Sequence, residues 1–189
     1  LALCHYGKGV AFAATGDIAA AEEQQRLFAN AWDGVPEDHL VFNNQTREVL
    51  RIGEAMLAGE LHYRRGNLDE AFRQLHRSVE LDDNLFYTEP WAWMQPPRHA
   101  LGALLLEQGR VDEATGVYAA DLGLDESLVR SSRHPGNVWA LHGYAECLDE
   151  LGRSDEAESV RAELEIARRQ MDVPLESSCF CRGAAPDYG

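Results

Sequence analysis

Hydrophobic and small residues recur along this chain at steps of three and four residues, the spacing that places them on one face of an α-helix. The last such segment carries its apolar positions at Ala157, Val160, Leu164, Ala167 and Met171. No segment shows the alternation that is typical of a half-buried strand. The pattern predicts eight helices, near residues 2–15, 18–31, 47–65, 68–81, 96–108, 111–122, 136–151 and 154–171.

A six-residue pattern recurs between these helices. Residues 66–71, 109–114 and 152–157 match one another, and residues 16–21 are a weaker copy. The glycine that opens each copy ends a helix, because glycine accepts the left-handed backbone at low steric cost. The acidic pair that follows in the three close copies opens the next helix, where its charge meets the positive end of the helix dipole. Each copy therefore marks the turn of an antiparallel helix pair.

The arrangement resembles the tetratricopeptide repeat family over most of the chain. The family's turn glycine falls on Gly16, Gly66, Gly109 and Gly152. Its small residue in the first helix falls on Gly9, Gly59, Gly102 and Ala145, and its second-helix alanine falls on Ala21, Ala71, Ala114 and Ala157. The resemblance implies an all-α, right-handed α-solenoid of about four antiparallel helix pairs. The pattern is also similar to the C-terminal region of uncharacterised bacterial proteins with such repeats.

The spacing between turn glycines shows that the connections between repeats carry insertions, because it is 50, 43 and 43 residues, against about 34 in the family. Residues 32–46 are predicted to form a surface loop. Residues 85–97 hold four aromatic residues and three prolines, so this insertion either folds onto the array or lines a pocket. Residues 124–137 are polar, and we expect them to be exposed, with Pro135 setting the start of the next helix.

The helical pattern ends shortly before Pro174, which divides the chain into two parts. We expect one repeat domain over residues 1–171 and a tail, residues 172–189, that packs on the array or is flexible. The chain begins with leucine rather than methionine, which is typical of a fragment or a processed product. It would then be an accessory domain of a larger multidomain protein, a third hypothesis beside the two developed below.

Charge narrows the classes of partner. Lys and Arg total 17 against 32 Asp and Glu, a net charge of -15, so nucleic acid and anionic membranes are poor partners. A basic peptide or a cation is favoured, although the same charge also keeps a protein soluble without any partner. No apolar run is long enough to cross a bilayer, and we expect a cytoplasmic protein. No phosphate-binding loop, nucleophile elbow or zinc-protease motif is present, which argues against an enzyme.

The first helix of each pair lines the concave face in arrays of this kind. Positions carried over from the family, with one tryptophan of the aromatic insertion, give the predicted groove: Tyr6, Met56, Glu60, Tyr63, Trp93, His99, Trp139, His142 and Glu146. This set lacks the Lys, Arg and Asn that would clamp a chaperone C-terminus. The leading hypothesis is a protein- or peptide-binding scaffold that uses this face, and the acidic surface favours a segment with Lys or Arg.

The alternative hypothesis is a metal-binding protein. His99 and His142 occupy the same position in neighbouring repeats, and Cys179 and Cys181 form a C-x-C pair in the tail. If the tail enters the groove, two thiolates and two imidazoles make a complete ligand set for Zn²⁺, and sulfur would also suit Cu(I). The adjacent Cys4 and His5 would be substitute ligands. Incidental thiols in a flexible end are the favoured explanation of the C-x-C pair.

Overall fold

The computed structural model describes residues 1–182 of the chain. Within these residues eight α-helices follow one another in the predicted order, and the all-α repeat fold is confirmed. The helices are α1 (Ala2–Ala14), α2 (Ile18–Asp33), α3 (Thr46–Arg64), α4 (Leu68–Asp83), α5 (Pro97–Glu107), α6 (Val111–Leu122), α7 (Val138–Glu150) and α8 (Ser154–Arg168). None of the helices among the described residues is long and apolar enough to span a bilayer.

Glycines make both the turns and the close approaches within the helix pairs. The four turn glycines have φ between 69° and 85°, a region that disfavours any side chain with a Cβ. On the first helices, a Cβ added at Gly59 would lie 2.8 Å from Leu75 Cγ, and one at Gly102 would lie 2.5 Å from Tyr118 Cζ. The predicted close-packing points are therefore where paired helices touch.

The described residues divide into two compact units, residues 1–97 (unit 1) and residues 98–182 (unit 2). In unit 1, α3 packs on both α1 and α2 as well as on its partner α4. Leu57 and Leu61 of α3 are almost fully buried against Ala13 and Ala21. In unit 2, α7 packs on α6 and α8, and its buried residues include Leu141 and Leu148.

The first insertion differs from the predicted loop because it contains a small antiparallel hairpin, β1 (Leu40–Val41) and β2 (Asn44–Gln45). Strands of two residues are too short for alternation to be visible in the sequence. The buried Asn44 side chain donates to Phe86 O and accepts from Phe86 N, both at 2.8 Å. This amide fastens the hairpin to the start of the aromatic insertion.

The third insertion is also more ordered than predicted. It contains a 3₁₀ turn, Arg130–Ser132, and His134 within it is buried rather than exposed. The start of α7 is set by Asn137, whose side chain accepts from the backbone N–H groups of Trp139 and Ala140 at 3.0 and 3.3 Å. An N-cap side chain of this kind satisfies the first backbone N–H groups of the helix. Asn137, rather than the predicted Pro135, therefore sets the start of α7.

Candidate functional site

In unit 1, Trp93 of the aromatic insertion lies on the predicted groove positions of α1 and α3. Its ring meets Tyr6 edge-on with centroids 5.1 Å apart, and its Nε1 donates to Met56 Sδ at 3.2 Å. Gly53 makes room for the indole, because a Cβ there would lie 2.6 Å from Trp93 Cη2. Only 5% of Trp93 is exposed, so this side chain belongs to the core of unit 1.

The polar groups around Trp93 are paired within unit 1. Tyr6 donates its hydroxyl proton to Gln95 Oε1 at 2.9 Å. Burial raises the pKa of Tyr6 well above its usual value, and the nearby Glu60 carboxylate raises it further. Glu60 is itself buried and accepts from Arg64 Nε at 2.7 Å. The tyrosine therefore serves as a neutral hydrogen-bond donor.

Tyr63 packs against the second helix of its own pair. Its ring meets Phe72 of α4 edge-on at 6.2 Å, and it is 8% exposed. The predicted groove residues of unit 1 thus contact side chains of unit 1 itself.

In unit 2, residues 175–182 follow α8 and lie across the first helices α5 and α7; we name them the docked segment. Cys181 Sγ lies 4.0 Å from Ala100 O on α5. Arg168 at the end of α8 donates to Leu175 O at 3.1 Å, which fixes the start of the segment. Four of its eight residues are buried: Leu175, Ser178, Cys179 and Cys181. The rest of the predicted tail, residues 183–189, lies outside the described residues.

Two side chains of the docked segment contact predicted groove residues on α7. Phe180 meets Trp139 edge-on, with centroids 5.4 Å apart and an interplanar angle of 64°, although Phe180 remains 75% exposed. Arg182 Nη1 lies 2.8 Å from Glu146 Oε2, and both side chains are partly exposed. The face of α7 therefore offers one aromatic and one acidic contact to the docked segment.

Hydrogen bonds anchor the part of the docked segment that precedes Phe180. The Ser178 hydroxyl bonds to the Tyr118 hydroxyl in a fully buried position. Tyr118 reaches this place beneath Gly143, where a Cβ would lie 2.3 Å from its Cζ. His142 bonds to the backbone of Glu176. Burial lowers the pKa of His142 more than the Glu146 carboxylate raises it.

A buried carboxylate ties the helices of unit 2 together. Asp121 at the end of α6 accepts from His99 Nε2 at 3.0 Å and from His134 Nδ1 at 2.8 Å. Burial alone would raise the pKa of Asp121, but the bonds from the two imidazoles outweigh it and lower the pKa to about 2. This cluster joins α5, α6 and the third insertion.

The predicted metal ligands are not brought together as one set. His99 bonds to Asp121, and Cys179 and Cys181 are joined to each other in a disulfide. Sulfur in a disulfide lacks the thiolate charge that binds zinc. Across residues 1–182, no three His, Cys, Asp or Glu side chains are grouped to hold a metal ion. Zinc or copper binding stays a prediction.

Sequence reasoning missed Tyr118, Ser178, Asp121, His134 and Arg182 as parts of the site. The signal for Tyr118 was present, because Gly102 and Gly143 both leave space for its ring. The partners of the other residues are 13 to 60 positions distant along the chain, a separation that no helical period connects.

Comparison with known proteins supports the repeat assignment. The family model described as tetratricopeptide repeat matches residues 95–120 and 138–163. No curated protein and no solved structure matches the chain. Tetratricopeptide repeats generally mediate contacts between proteins, which supports a scaffold role. The recognition of tetratricopeptide repeats made from the sequence is therefore confirmed for the two helix pairs that the model matches.

Proposed function

We propose that this protein is a peptide-binding scaffold, and that the face formed by α5 and α7 of unit 2 is its binding surface. The observation that carries the proposal is the docked segment. A stretch of irregular chain from outside the repeats contacts the positions at which a ligand was predicted, through Trp139 and Glu146. A surface that holds one such segment has the shape and the chemistry to hold another.

Charge supports the same proposal. The chain carries a net charge of -15, and the acidic group on the α7 face, Glu146, already accepts a guanidinium. Complementary charge increases the rate at which a basic segment finds such a surface and suppresses binding of acidic ones. The expected partner is therefore a protein segment that contains Lys or Arg.

Selection from a displayed library of random peptides tests this function. Enriched peptides should bind the natural chain, and Trp139→Ala and Glu146→Ala should each weaken binding about tenfold, as loss of one central contact does. Glu158→Ala, which changes an exposed residue of α8, is the matched control and should leave binding unchanged. Failure to enrich any peptide, or equal binding by all three variants, would contradict the proposal.

A further inference from the structure

We infer that the docked segment is an internal ligand, and that the partner replacing it presents an aromatic residue followed two positions later by arginine or lysine. This inference rests on the proposed function, because it names the occupant of the same face. It is carried by the path of the segment, by the contacts of Phe180 and Arg182, and by the spacing of their partners.

The path of the docked segment is that of a ligand between neighbouring repeats. It contacts α5 at Ala100 and α7 at Trp139, which are the first helices of the two helix pairs that the family model matches. The segment forms no helix and no strand pairing with the rest of the described chain. Its position is set by side-chain and backbone contacts to these helices, as for a bound peptide that presents a turn.

The contacts at its outer residues suit exchange. Phe180 is 75% exposed although its ring lies on Trp139, so solvent reaches most of the ring while it is bound. The side chains of Arg182 and Glu146 are also partly exposed, so water reaches this pair while it is formed. A second peptide could take these two contacts while the buried Ser178 stays in place.

The spacing of the two recognition residues follows from helix geometry. Trp139 and Glu146 are seven residues apart on α7, which is about 10 Å along the helix axis. The chain turns between Phe180 and Arg182: the backbone N–H of Arg182 donates to Cys179 O at 3.0 Å, and the disulfide between Cys179 and Cys181 closes the turn. The long arginine side chain reaches from this turn to Glu146. An aromatic residue and a cation at positions i and i+2 therefore reach both partners at once.

The preference for a cation has its own physical basis. Glu146 is partly buried, and His142 Nε2, at 3.7 Å from its carboxylate, is buried without a hydrogen bond from any described residue. An acidic ligand residue would meet the Glu146 charge in a partly desolvated place, which is unfavourable. A guanidinium in the same place gains a charge-assisted hydrogen bond.

The test uses the segment itself as a separate peptide. The probe is the blocked, disulfide-closed and fluorescently labelled peptide LESSCFCR, which copies residues 175–182. The receptor is the full chain with Phe180→Ala and Arg182→Ala, changes that leave the buried anchors intact; circular dichroism verifies folding. We expect the peptide to bind this variant at least about tenfold more tightly than the natural chain, whose own segment competes at a high effective concentration.

A charge exchange then separates recognition from a merely structural role. Adding Glu146→Arg to the double variant should weaken the peptide about tenfold, and a peptide with glutamate in place of its arginine should recover that loss. Glu150→Arg, on the exposed end of the same helix, is the matched control and should leave the original peptide's affinity within about twofold.

Three outcomes would overturn the inference: equal binding to the natural chain and the double variant, no binding to either, or binding that is indifferent to the peptide's phenylalanine and arginine. The library selection distinguishes this failure from failure of the proposed function. Enriched peptides that depend on Trp139 but lack the aromatic-x-cation pattern would contradict only the inference that the docked segment is an internal ligand. If no enriched peptide depended on Trp139, the proposed function would be contradicted as well.

Discussion

Trp93 in unit 1 and the docked segment in unit 2 occupy corresponding positions on the first helices of their repeats, and they are held in different ways. Trp93 is 5% exposed and is surrounded by Tyr6, Met56 and Gly53. Phe180 is 75% exposed, and Arg182 forms a partly exposed pair with Glu146. Trp93 is part of a hydrophobic core, whereas the docked segment is buried at Ser178 and exposed at Phe180.

The difference teaches that corresponding repeat positions hold a core side chain in unit 1 and a partly exposed segment in unit 2. In unit 1 a glycine at position 53 turns such a place into a cavity for an indole. In unit 2 a tryptophan at the matching position, Trp139, gives a platform on which a ring rests.

The largest effect is expected from Trp93→Ala. Removing a buried tryptophan leaves a cavity, and the free energy of unfolding should fall by about 3–5 kcal/mol. Urea denaturation followed by circular dichroism measures this loss. The control is Phe86→Ala in the same insertion, where the ring is 72% exposed and the change should stay within about 0.5 kcal/mol. If the two variants lose equal stability, Trp93 is not core, and the contrast between the units disappears.

Gly143→Ala should disturb unit 2 through its anchor. The added Cβ would lie 2.3 Å from Tyr118 Cζ, so the ring must move and its bond to Ser178 must break. Overpacking of this kind lowers the free energy of unfolding by about 1–3 kcal/mol. Gly116→Ala in α6, with no neighbour within 4 Å, should instead stabilise by about 0.5–1 kcal/mol. Equal unfolding midpoints in the two variants would contradict the close approach.

Acid should weaken unit 2 through Asp121, whose pKa is lowered to about 2 in the folded chain. A lowered pKa means that the carboxylate stabilises the fold above its ordinary pKa, near 3.8, and that this contribution disappears as the pH falls through about 2. The contribution is on the order of 2 kcal/mol. Asp121→Asn removes the titrating group, so the stability difference between natural chain and variant should shrink below pH 4.

The measurement is urea denaturation of both chains at several pH values between 2 and 6. Glu158→Gln, at an exposed position, is the control and should follow the natural chain throughout. If the free energies of unfolding of the natural chain and of Asp121→Asn change in parallel with pH, the two imidazoles do not hold this carboxylate ionised.

The helices could be predicted because their signals are local. Each turn needs a left-handed residue and each close approach needs a missing side chain, so Gly66 and Gly59 mark the second helix pair without any knowledge of the rest of the chain. The same is true of the other pairs, and the helix ends were predicted to within a few residues.

The site was harder to predict because its contacts join distant parts of the chain. Ser178 and Tyr118 are 60 residues apart, and Arg182 and Glu146 are 36 apart. Asp121 ends a helix, a place where a carboxylate opposes the helix dipole and is expected at the surface. Its burial follows from His99 and His134, which only the folded chain brings to it.

The smallest effect concerns the disulfide of the docked segment, a feature that unit 1 lacks. Cys179 and Cys181 enclose only Phe180, and closing so short a loop contributes about 1.5 kcal/mol or less on the chain-entropy model. An added dithiol reduces the bond to two thiols and is itself oxidised to a disulfide. Iodoacetamide should label the exposed Cys4 before reduction, and should label Cys179 and Cys181 only afterwards, as mass spectrometry of the peptides would show. Ready labelling of both without reductant would mean free thiols, and would bring back the zinc or copper site in place of the internal ligand.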